Sequence, residues 1–143
     1  PEGDFSPALR RMIQELGLNN VHMIDKVDHE QLNTWYCAAD LFCLATQGEG
    51  CPNVVLEALA SGVPVVVTDV GAIRDFVAPG HNGFIADIQN LKALEQNIKK
   101  ALTTLWDRKE ISERMQSRTW EACARQVLAI YRKVLEPVAD QKC

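Results

Sequence analysis

The sequence predicts an α/β fold with a mostly parallel sheet flanked by helices, and three observations predict it. Short apolar runs typical of strands alternate along the chain with helical patterns. The run Pro64 to Thr68 is rich in β-branched residues, which is typical of a strand buried in a parallel sheet. The length of 143 residues and the 47% hydrophobic content suffice for one domain with a real core. Strands that alternate with helices indicate an α/β layer fold.

The first half of the chain contains helix and strand signals in alternation. Ser6 can cap a first helix with Pro7 at its first position, and Gly17 stops that helix. Gly62 ends the central helix in the usual glycine position. In order, we predict a helix from Pro7 to Leu16, a strand at Val21 to Ile24, a helix at His29 to Ala38 with Leu32, Trp35 and Tyr36 on one face, an apolar strand at Leu41 to Ala45, and a helix opened by Pro52.

The second half begins with the β-branched strand and ends in helices. Pro79 to Gly83 is a turn that leads into a short strand, and Pro137 ends the last helix. The predicted elements are a strand at Pro64 to Thr68, a short helix at Ile73 to Val77, a strand at Phe84 to Ala86, and helices at about Leu91 to Leu105, Lys109 to Arg118 and Trp120 to Leu135. We expect residues 1–143 to form a single, truncated domain with C-terminal helices from about residue 91.

Composition excludes several classes of partner. The net charge is -4 and no basic block appears, which argues against nucleic acid or an anionic membrane as the main partner. The longest purely apolar run, Val63 to Val67, is far too short to span a bilayer. No signal peptide is visible, and the chain begins at Pro1 without a methionine, which suggests a processed chain or a piece of something longer.

The cysteines and histidines do not predict a metal site or a disulfide framework. The cysteine count of 5 is odd, and no pair has zinc-like or redox-motif spacing, so we expect reduced thiols in a cytoplasmic protein. Cys37 and Cys43 lie in apolar segments, where free cysteine behaves as a small hydrophobe. Cys51 lies at a helix N-terminus, where a thiol can be reactive, but no base is near in sequence. The histidines, which have no metal-ligand spacing and are interpreted as surface or turn residues, are His22, His29 and His81.

The most informative feature is a pair of glutamates with the spacing Glu-x7-Glu. Glu49 lies in a glycine-rich loop, and Glu57 lies inside the helix that this loop opens. Residues Asn53 to Ser61 are apolar nearly all round, which predicts a buried helix with one polar stripe at Asn53, Glu57 and Ser61. A buried carboxylate is costly without a partner. For Glu57 that partner is a ligand, its own helix or a neighbouring loop.

These residues resemble a known signature. The resemblance is to retaining GT-B glycosyltransferases of the group 1 family with the Glu-x7-Glu motif, and it covers essentially the whole chain. Two departures are Asp25, where the family usually has a glycine, and Ala72, where a second glycine is common; Cys51 stands where an aromatic residue is frequent. The stretches that carry the resemblance are Asp40 to Leu44, Glu49 to Val66, Gly71, Gly80 to Ile85 and Trp120 to Tyr131.

The resemblance implies a Rossmann-like parallel sheet, the C-terminal half-domain of a GT-B fold that lacks its first two strands. It implies a donor site for a UDP-, GDP- or ADP-linked hexose. Glu49 would be the catalytic residue and would touch hydroxyls of the transferred sugar, and Glu57 would hold the ribose hydroxyls. The other donor-binding residues implied are Gly50, Cys51, Asn53 and Val54 beside the diphosphate, and Lys26 and Val27 beside the base.

By the same resemblance, the parent enzyme would transfer the hexose with retention of configuration, without a metal or other cofactor. The isolated chain would be inactive, because the N-terminal domain that holds the acceptor and the arginine and lysine that neutralise the donor diphosphate would be absent. Any membrane contact would be made through that absent domain. It would be marginally stable, self-associate or rearrange its sheet. One alternative is a non-catalytic nucleotide-binding module, or a donor subunit that needs a partner chain. Another is an epimerase or phosphorylase of the same fold, which would use other residues at this site.

Overall fold

Helices and parallel strands alternate in the structure as the sequence predicts. The structure is a computed structural model that describes residues 5–24 and 26–135. The chain divides into two units, residues 1–32 and 33–143, and the division falls inside the second helix. The elements are α1 (Ser6–Glu15), α2 (His29–Ala38), β1 (Phe42–Leu44), α3 (Asn53–Ala60), β2 (Val65–Thr68), a 3-10 helix (Ile73–Asp75), β3 (Gly83–Ala86), α4 (Leu91–Thr103), α5 (Arg108–Met115) and α6 (Trp120–Leu135).

The sheet of the second unit has three strands among the described residues, all parallel and in the order β1-β2-β3. Val65 pairs with Phe42 on one side and with Gly83 on the other. The central strand is therefore β2, and each of its residues is buried. The predicted parallel sheet and its buried β-branched strand are confirmed. Because the strands are parallel, their carboxyl ends meet at one edge, where ligands bind in open α/β sheets.

Helix α4 packs on β2 and β3 and forms part of the core. Val66, Phe84 and Ala101 form a buried cluster. Trp106 meets Phe84 edge-on with the ring centroids 5.6 Å apart, and its indole N–H donates to the Ala101 carbonyl at 2.8 Å. Such an aromatic pair contributes about 0.5–1.5 kcal/mol beyond its buried area. This cluster anchors the end of α4 to the sheet.

Helix α3 packs against β1, β2 and α5, but it is buried on only one face. Val55, Ala58 and Leu59 are buried, whereas Val54 is exposed. The prediction of a helix buried nearly all round is therefore wrong, since the neighbouring elements cover one side and leave the other open. Gly62 has φ +75°, which confirms it as the residue that ends the helix.

Helix α1 of the first unit begins at Ser6, one residue before the predicted first helical position. Phe5 occupies the N-cap position without a side-chain hydrogen bond, and Ser6 is the first helical residue. The predicted capping role of Ser6 is wrong, because its backbone is already helical and a cap must lie outside the helix. Pro7 is therefore at the second helical position rather than the predicted first, whereas Gly17 follows the helix with φ +61°, as predicted.

The segment Val21 to Ile24 is not a strand. The described strands of the sheet are β1, β2 and β3, and none of them pairs with this segment. A strand exists only through a ladder of hydrogen bonds with a neighbour. A largely apolar run without a neighbouring strand therefore stays irregular, and the prediction is wrong.

The apolar segments around two cysteines do not bury their thiols. Cys37 and Cys43 are both exposed, as are Cys51 and Cys123, whereas Cys143 lies outside the described residues. Cys37 and Cys43 therefore lie at the surface of their apolar segments, although partial burial of the Cys43 thiol raises its pKa. Cys37 lies near the exposed end of α2, and Cys43 lies in the middle of β1, which is an edge strand of the described sheet.

Candidate functional site

The loop that carries Glu49 leads from the carboxyl end of β1 into the N-terminus of α3. Thr68, buried at the end of β2, donates its hydroxyl to the Thr46 carbonyl at 2.5 Å. The backbone N–H of Gly48 donates to the Thr46 hydroxyl at 3.4 Å. These contacts tie the start of the loop to the central strand. Glu49 therefore lies at the ligand-binding edge that the α/β pattern predicts.

A second loop, which follows β2, presses directly on the glutamate loop. Gly71 has φ +51°, and a Cβ atom built on it would overlap the carbonyl oxygens of Glu49 and Gly50. The N–H of Ala72 donates to the Gly50 carbonyl at 2.9 Å. Only glycine combines this conformation with this close approach. The backbone at Glu49 is therefore held from both sides, while the Glu49 side chain remains exposed.

The N-terminus of α3 is open to a ligand. Pro52 occupies the N-cap position, and no side chain caps the helix there. Proline has no N–H, so the first donors belong to the residues that follow it. A helix N-terminus carries unpaired N–H groups and about half a positive charge, which suits an anion.

Glu57 has a partner that sequence reasoning missed. The hydroxyl of Tyr36, on α2, donates to Oε2 of Glu57 at 3.2 Å. Tyr36 is buried and Glu57 is half-buried. Burial, followed by the charge of Glu57 and the hydrogen bond to it, raises the pKa of Tyr36 to about 12. Tyr36 was predicted on an apolar helix face. A buried tyrosine hydroxyl usually needs an acceptor, and the unpartnered Glu57 was the signal that could have identified it.

The polar stripe of α3 faces α2 at two positions. The Ser61 hydroxyl contacts Asn33 Oδ1 at 3.1 Å and the Glu57 carbonyl at 2.9 Å. Asn33 and Tyr36 lie one turn apart on α2, so they meet Ser61, the C-cap residue of α3, and Glu57, which lies one turn before it. The partner of Glu57 is thus a neighbouring helix, rather than its own helix or a loop.

The predicted site residues of the second unit form one continuous stretch of loop and helix. Gly50, Cys51, Asn53 and Val54 are exposed beside Glu49, and Glu57 is half-buried further along α3. Lys26 and Val27 belong to the first unit, where Lys26 is exposed and Val27 half-buried. Asp25 lies outside the described residues.

A small cleft and an ion pair, both absent from the sequence predictions, lie at the carboxyl ends of the strands. The cleft measures about 80 Å³ and is lined by residues that include Thr46, Thr68 and Asp87. It is smaller than the roughly 300–1,000 Å³ typical of ligand pockets. Arg74 binds Asp69 through two nitrogens, at 2.9 Å and 2.5 Å. This carboxylate, by hydrogen bond and by charge, raises the pKa of Arg74.

Two features are absent from the described residues. Within residues 5–24 and 26–135, no group of three or more His, Cys, Asp and Glu side chains could hold a metal ion. No helix of these ranges is long and apolar enough to cross a membrane.

Comparison with known proteins identifies similar sequences. The model of the family "Glycosyl transferases group 1" matches residues 2–104. The lipopolysaccharide core biosynthesis mannosyltransferase LpsB of Rhizobium meliloti is 36% identical over 96 residues, which cover 66% of this chain and 27% of that protein. The D-inositol 3-phosphate glycosyltransferase of Corynebacterium urealyticum is 30% identical over 132 residues, which cover 89% of this chain and 31% of that protein. The chain thus spans between a quarter and a third of the length of these curated relatives.

Solved structures share the architecture. Sucrose-phosphate synthase from Thermosynechococcus elongatus superposes with a TM-score of 0.75 at 30% identity, over 90% of this chain and 34% of that one. The lipopolysaccharide outer core galactosyltransferase WaaB superposes with a TM-score of 0.78 at 17% identity, over 92% of this chain and 39% of that one. Both neighbours are GT-B glycosyltransferases, as expected of a C-terminal half-domain of that fold.

Proposed function

This chain belongs to the group 1 glycosyl transferase family, and from this we propose that it is the donor-binding part of a glycosyltransferase. The enzyme would move a hexose from a UDP-, GDP- or ADP-linked donor to an acceptor, with retention of configuration. Catalysis would belong to the longer protein, since the acceptor side is expected on another domain. The cytoplasmic location expected from the reduced cysteines stays a prediction.

The observation that carries the proposal is the arrangement of the two glutamates. Glu49 is exposed on a loop at the carboxyl ends of the parallel strands, and Glu57 is half-buried on the helix that this loop opens. An ionised carboxylate accepts hydrogen bonds from two adjacent hydroxyls, and each such bond contributes about 1.5–3 kcal/mol. We propose that Glu49 accepts such bonds from hydroxyls of the transferred sugar, and that Glu57 accepts them from the ribose hydroxyls.

The start of α3 supports a role in binding the diphosphate. The backbone amides of Cys51, Asn53 and Val54 lie where the helix has no side-chain cap. Negative charge that develops on the departing nucleoside diphosphate would be stabilised there by the helix N-terminus. Gly50, held by the contact with Gly71, would let the backbone approach the ligand closely.

The base would be held by the segment that contains Lys26 and Val27. Both residues follow the segment Val21 to Ile24 in sequence, and Lys26 is exposed. We propose backbone contacts to the base there. Such contacts read the base through N–H and C=O groups, which every non-proline residue carries.

Calorimetric titration of the 143-residue chain with UDP, GDP and ADP tests the proposal, after a melting curve shows that the protein is folded. We expect one nucleotide to bind and Glu57→Ala to weaken that binding at least about tenfold, because charge-assisted bonds are lost. Glu113→Ala is the matched control, since Glu113 is an exposed helical glutamate on α5. A folded chain that binds none of the three nucleotides would contradict the proposal, as would equal losses in the two variants.

A further inference from the structure

We propose that Tyr36 is a positioning residue for the ribose-binding carboxylate of Glu57, an inference that rests on the proposed function. The Tyr36 hydroxyl donates to Oε2 of Glu57 at 3.2 Å. The hydrogen bond that a described residue donates to this carboxylate comes from Tyr36 and ends on Oε2. The protein therefore holds one oxygen, and in this proposal the other oxygen, Oε1, accepts from a hydroxyl of the ligand.

The position of Tyr36 is fixed by a contact of its ring and by contacts at the end of its helix. Its ring meets Phe42 of β1 edge-on, with centroids 5.7 Å apart and planes at 72°. The end of α2 is fixed by Arg108, whose guanidinium donates to the carbonyls of Ala39 at 3.0 Å and Cys37 at 3.1 Å. A functional group is held accurately when its supporting residues sit on helices and strands. The hydroxyl therefore has a defined position from which to orient Glu57.

The hydroxyl also keeps its proton under ordinary conditions. Burial and the negative charge of Glu57 raise the pKa of Tyr36 to about 12. A tyrosine that stays protonated remains a donor, and an ionised carboxylate can only accept. The direction of the hydrogen bond is thus the same across the physiological pH range. A carboxylate with one oxygen engaged in this way has fewer orientations to lose when the ligand binds.

A purely structural role for the same bond would give a different result. If Tyr36 only joined α2 to α3, its removal would lower stability and weaken every ligand alike. If it orients Glu57, its removal should weaken only those ligands that Glu57 contacts. The two roles are separated by ligands that differ in their ribose hydroxyls.

The experiment measures binding of the full 143-residue chain to whichever of UDP, GDP and ADP the wild type binds, and to the 2′,3′-dideoxy form of that nucleotide. The variants are Tyr36→Phe, Glu57→Ala and their combination. Tyr36→Phe keeps the ring against Phe42 and removes only the hydroxyl. Tyr131→Phe is the matched control, because Tyr131 is the second tyrosine of the chain and is exposed on α6.

We expect Tyr36→Phe to weaken the ribonucleotide by about three- to tenfold, as the loss of one hydrogen bond implies. The dideoxynucleotide should bind the variant and the wild type equally. Tyr36→Phe should add nothing in the Glu57→Ala background, because a residue that acts through Glu57 has no effect without it. Tyr131→Phe should leave both affinities unchanged.

Three results would overturn the inference. Equal losses for both nucleotides would assign Tyr36 a structural role, and unchanged affinity would show that Glu57 needs no orientation. A loss that persists in the Glu57→Ala background would show that Tyr36 acts by another route. Failure of the wild type to bind any nucleotide would instead remove the proposed function, and this inference with it.

A measurement on the wild type covers the case in which Tyr36→Phe does not fold. The 13Cζ resonance of Tyr36, assigned by comparison with Tyr131→Phe, reports on its hydroxyl. Saturation with the ribonucleotide should shift this resonance, because the ribose hydroxyls would donate hydrogen bonds to the same carboxylate of Glu57. The dideoxynucleotide should leave it in place, and equal shifts with the two nucleotides would contradict the inference.

Discussion

The backbone of Gly71 lies directly against that of Gly50, so closely that a Cβ atom at position 71 would overlap the Gly50 carbonyl oxygen. The two residues belong to the loops that follow neighbouring parallel strands. The hydrogen bond from the Ala72 N–H to the same carbonyl, at 2.9 Å, completes the contact. The position of the glutamate loop thus depends on a residue that has no side chain.

Gly71→Ala should displace the glutamate loop. The left-handed conformation with φ +51° costs an alanine roughly 1–2 kcal/mol, and the overlap with Gly50 adds to this cost. We expect a loss of nucleotide affinity together with a lower free energy of unfolding in urea. Gly80→Ala is the control, since Gly80 has φ +83° but open space around its Cβ position. It should lose stability only, and equal effects on affinity in both variants would contradict the role of the close contact.

Tyr36 should titrate at unusually high pH. In Tyr131→Phe, which leaves Tyr36 as the only tyrosine, the 13Cζ resonance should titrate with a midpoint near pH 12. Because the folded-state pKa is raised above its ordinary value of 10.0, the associated stability is complete below about pH 10 and is lost as the pH rises through 12. Glu57→Gln should lower the midpoint, since it removes the negative charge. A midpoint near 10 in a folded protein would show that neither burial nor Glu57 perturbs the hydroxyl, and an unchanged midpoint in Glu57→Gln would show that burial alone raises the pKa of Tyr36.

Asn82 should be essential for the turn before β3. Its buried side chain accepts a hydrogen bond from the Ala78 N–H and donates one to the Phe76 carbonyl, each at 2.8 Å. Asn82→Ala should lower the free energy of unfolding by about 1–3 kcal/mol for each backbone group left unpaired. The control, His81→Ala, changes the exposed neighbour and should stay within about 0.5 kcal/mol of the wild type. Urea denaturation checks both values, and similar small losses would refute the bonding role.

Arg108 should stabilise the end of α2 through the fork of its guanidinium. Its two terminal nitrogens donate to the carbonyls of Ala39 and Cys37. Lysine carries the same charge but has no planar fork, so Arg108→Lys should lower the free energy of unfolding by about 1 kcal/mol. Lys109→Ala, at an adjacent and highly exposed position, is the control and should have little effect. If urea denaturation finds the arginine variant as stable as the control, charge alone accounts for the contact.

Each predicted helix has a counterpart in the structure, whereas one of the four predicted strands has none. The predicted bounds of α2 and α6 match the structure, because helix signals such as periodicity, proline and glycine act within a few residues. The segment Val21 to Ile24 was predicted as a strand and is not one, whereas Val65–Thr68 is a strand within one residue of its prediction. The first run, Val-His-Met-Ile, contains a histidine and two β-branched residues, whereas every residue of the second is β-branched. They also differ in whether a neighbouring strand pairs with them.

At the site, too, local sequence patterns were predictable and contacts between distant residues were not. The sequence by itself determined the α/β alternation, the glutamate loop between strand and helix, and the need of Glu57 for a partner, since these follow from the order and spacing of neighbouring residues. Only the tertiary structure decided that Tyr36 is that partner and that Gly71 presses on Gly50. In each case the contacting residues are about 20 positions apart in the chain. Such contacts depend on how helices and loops pack in space, and a local pattern contains no record of that packing.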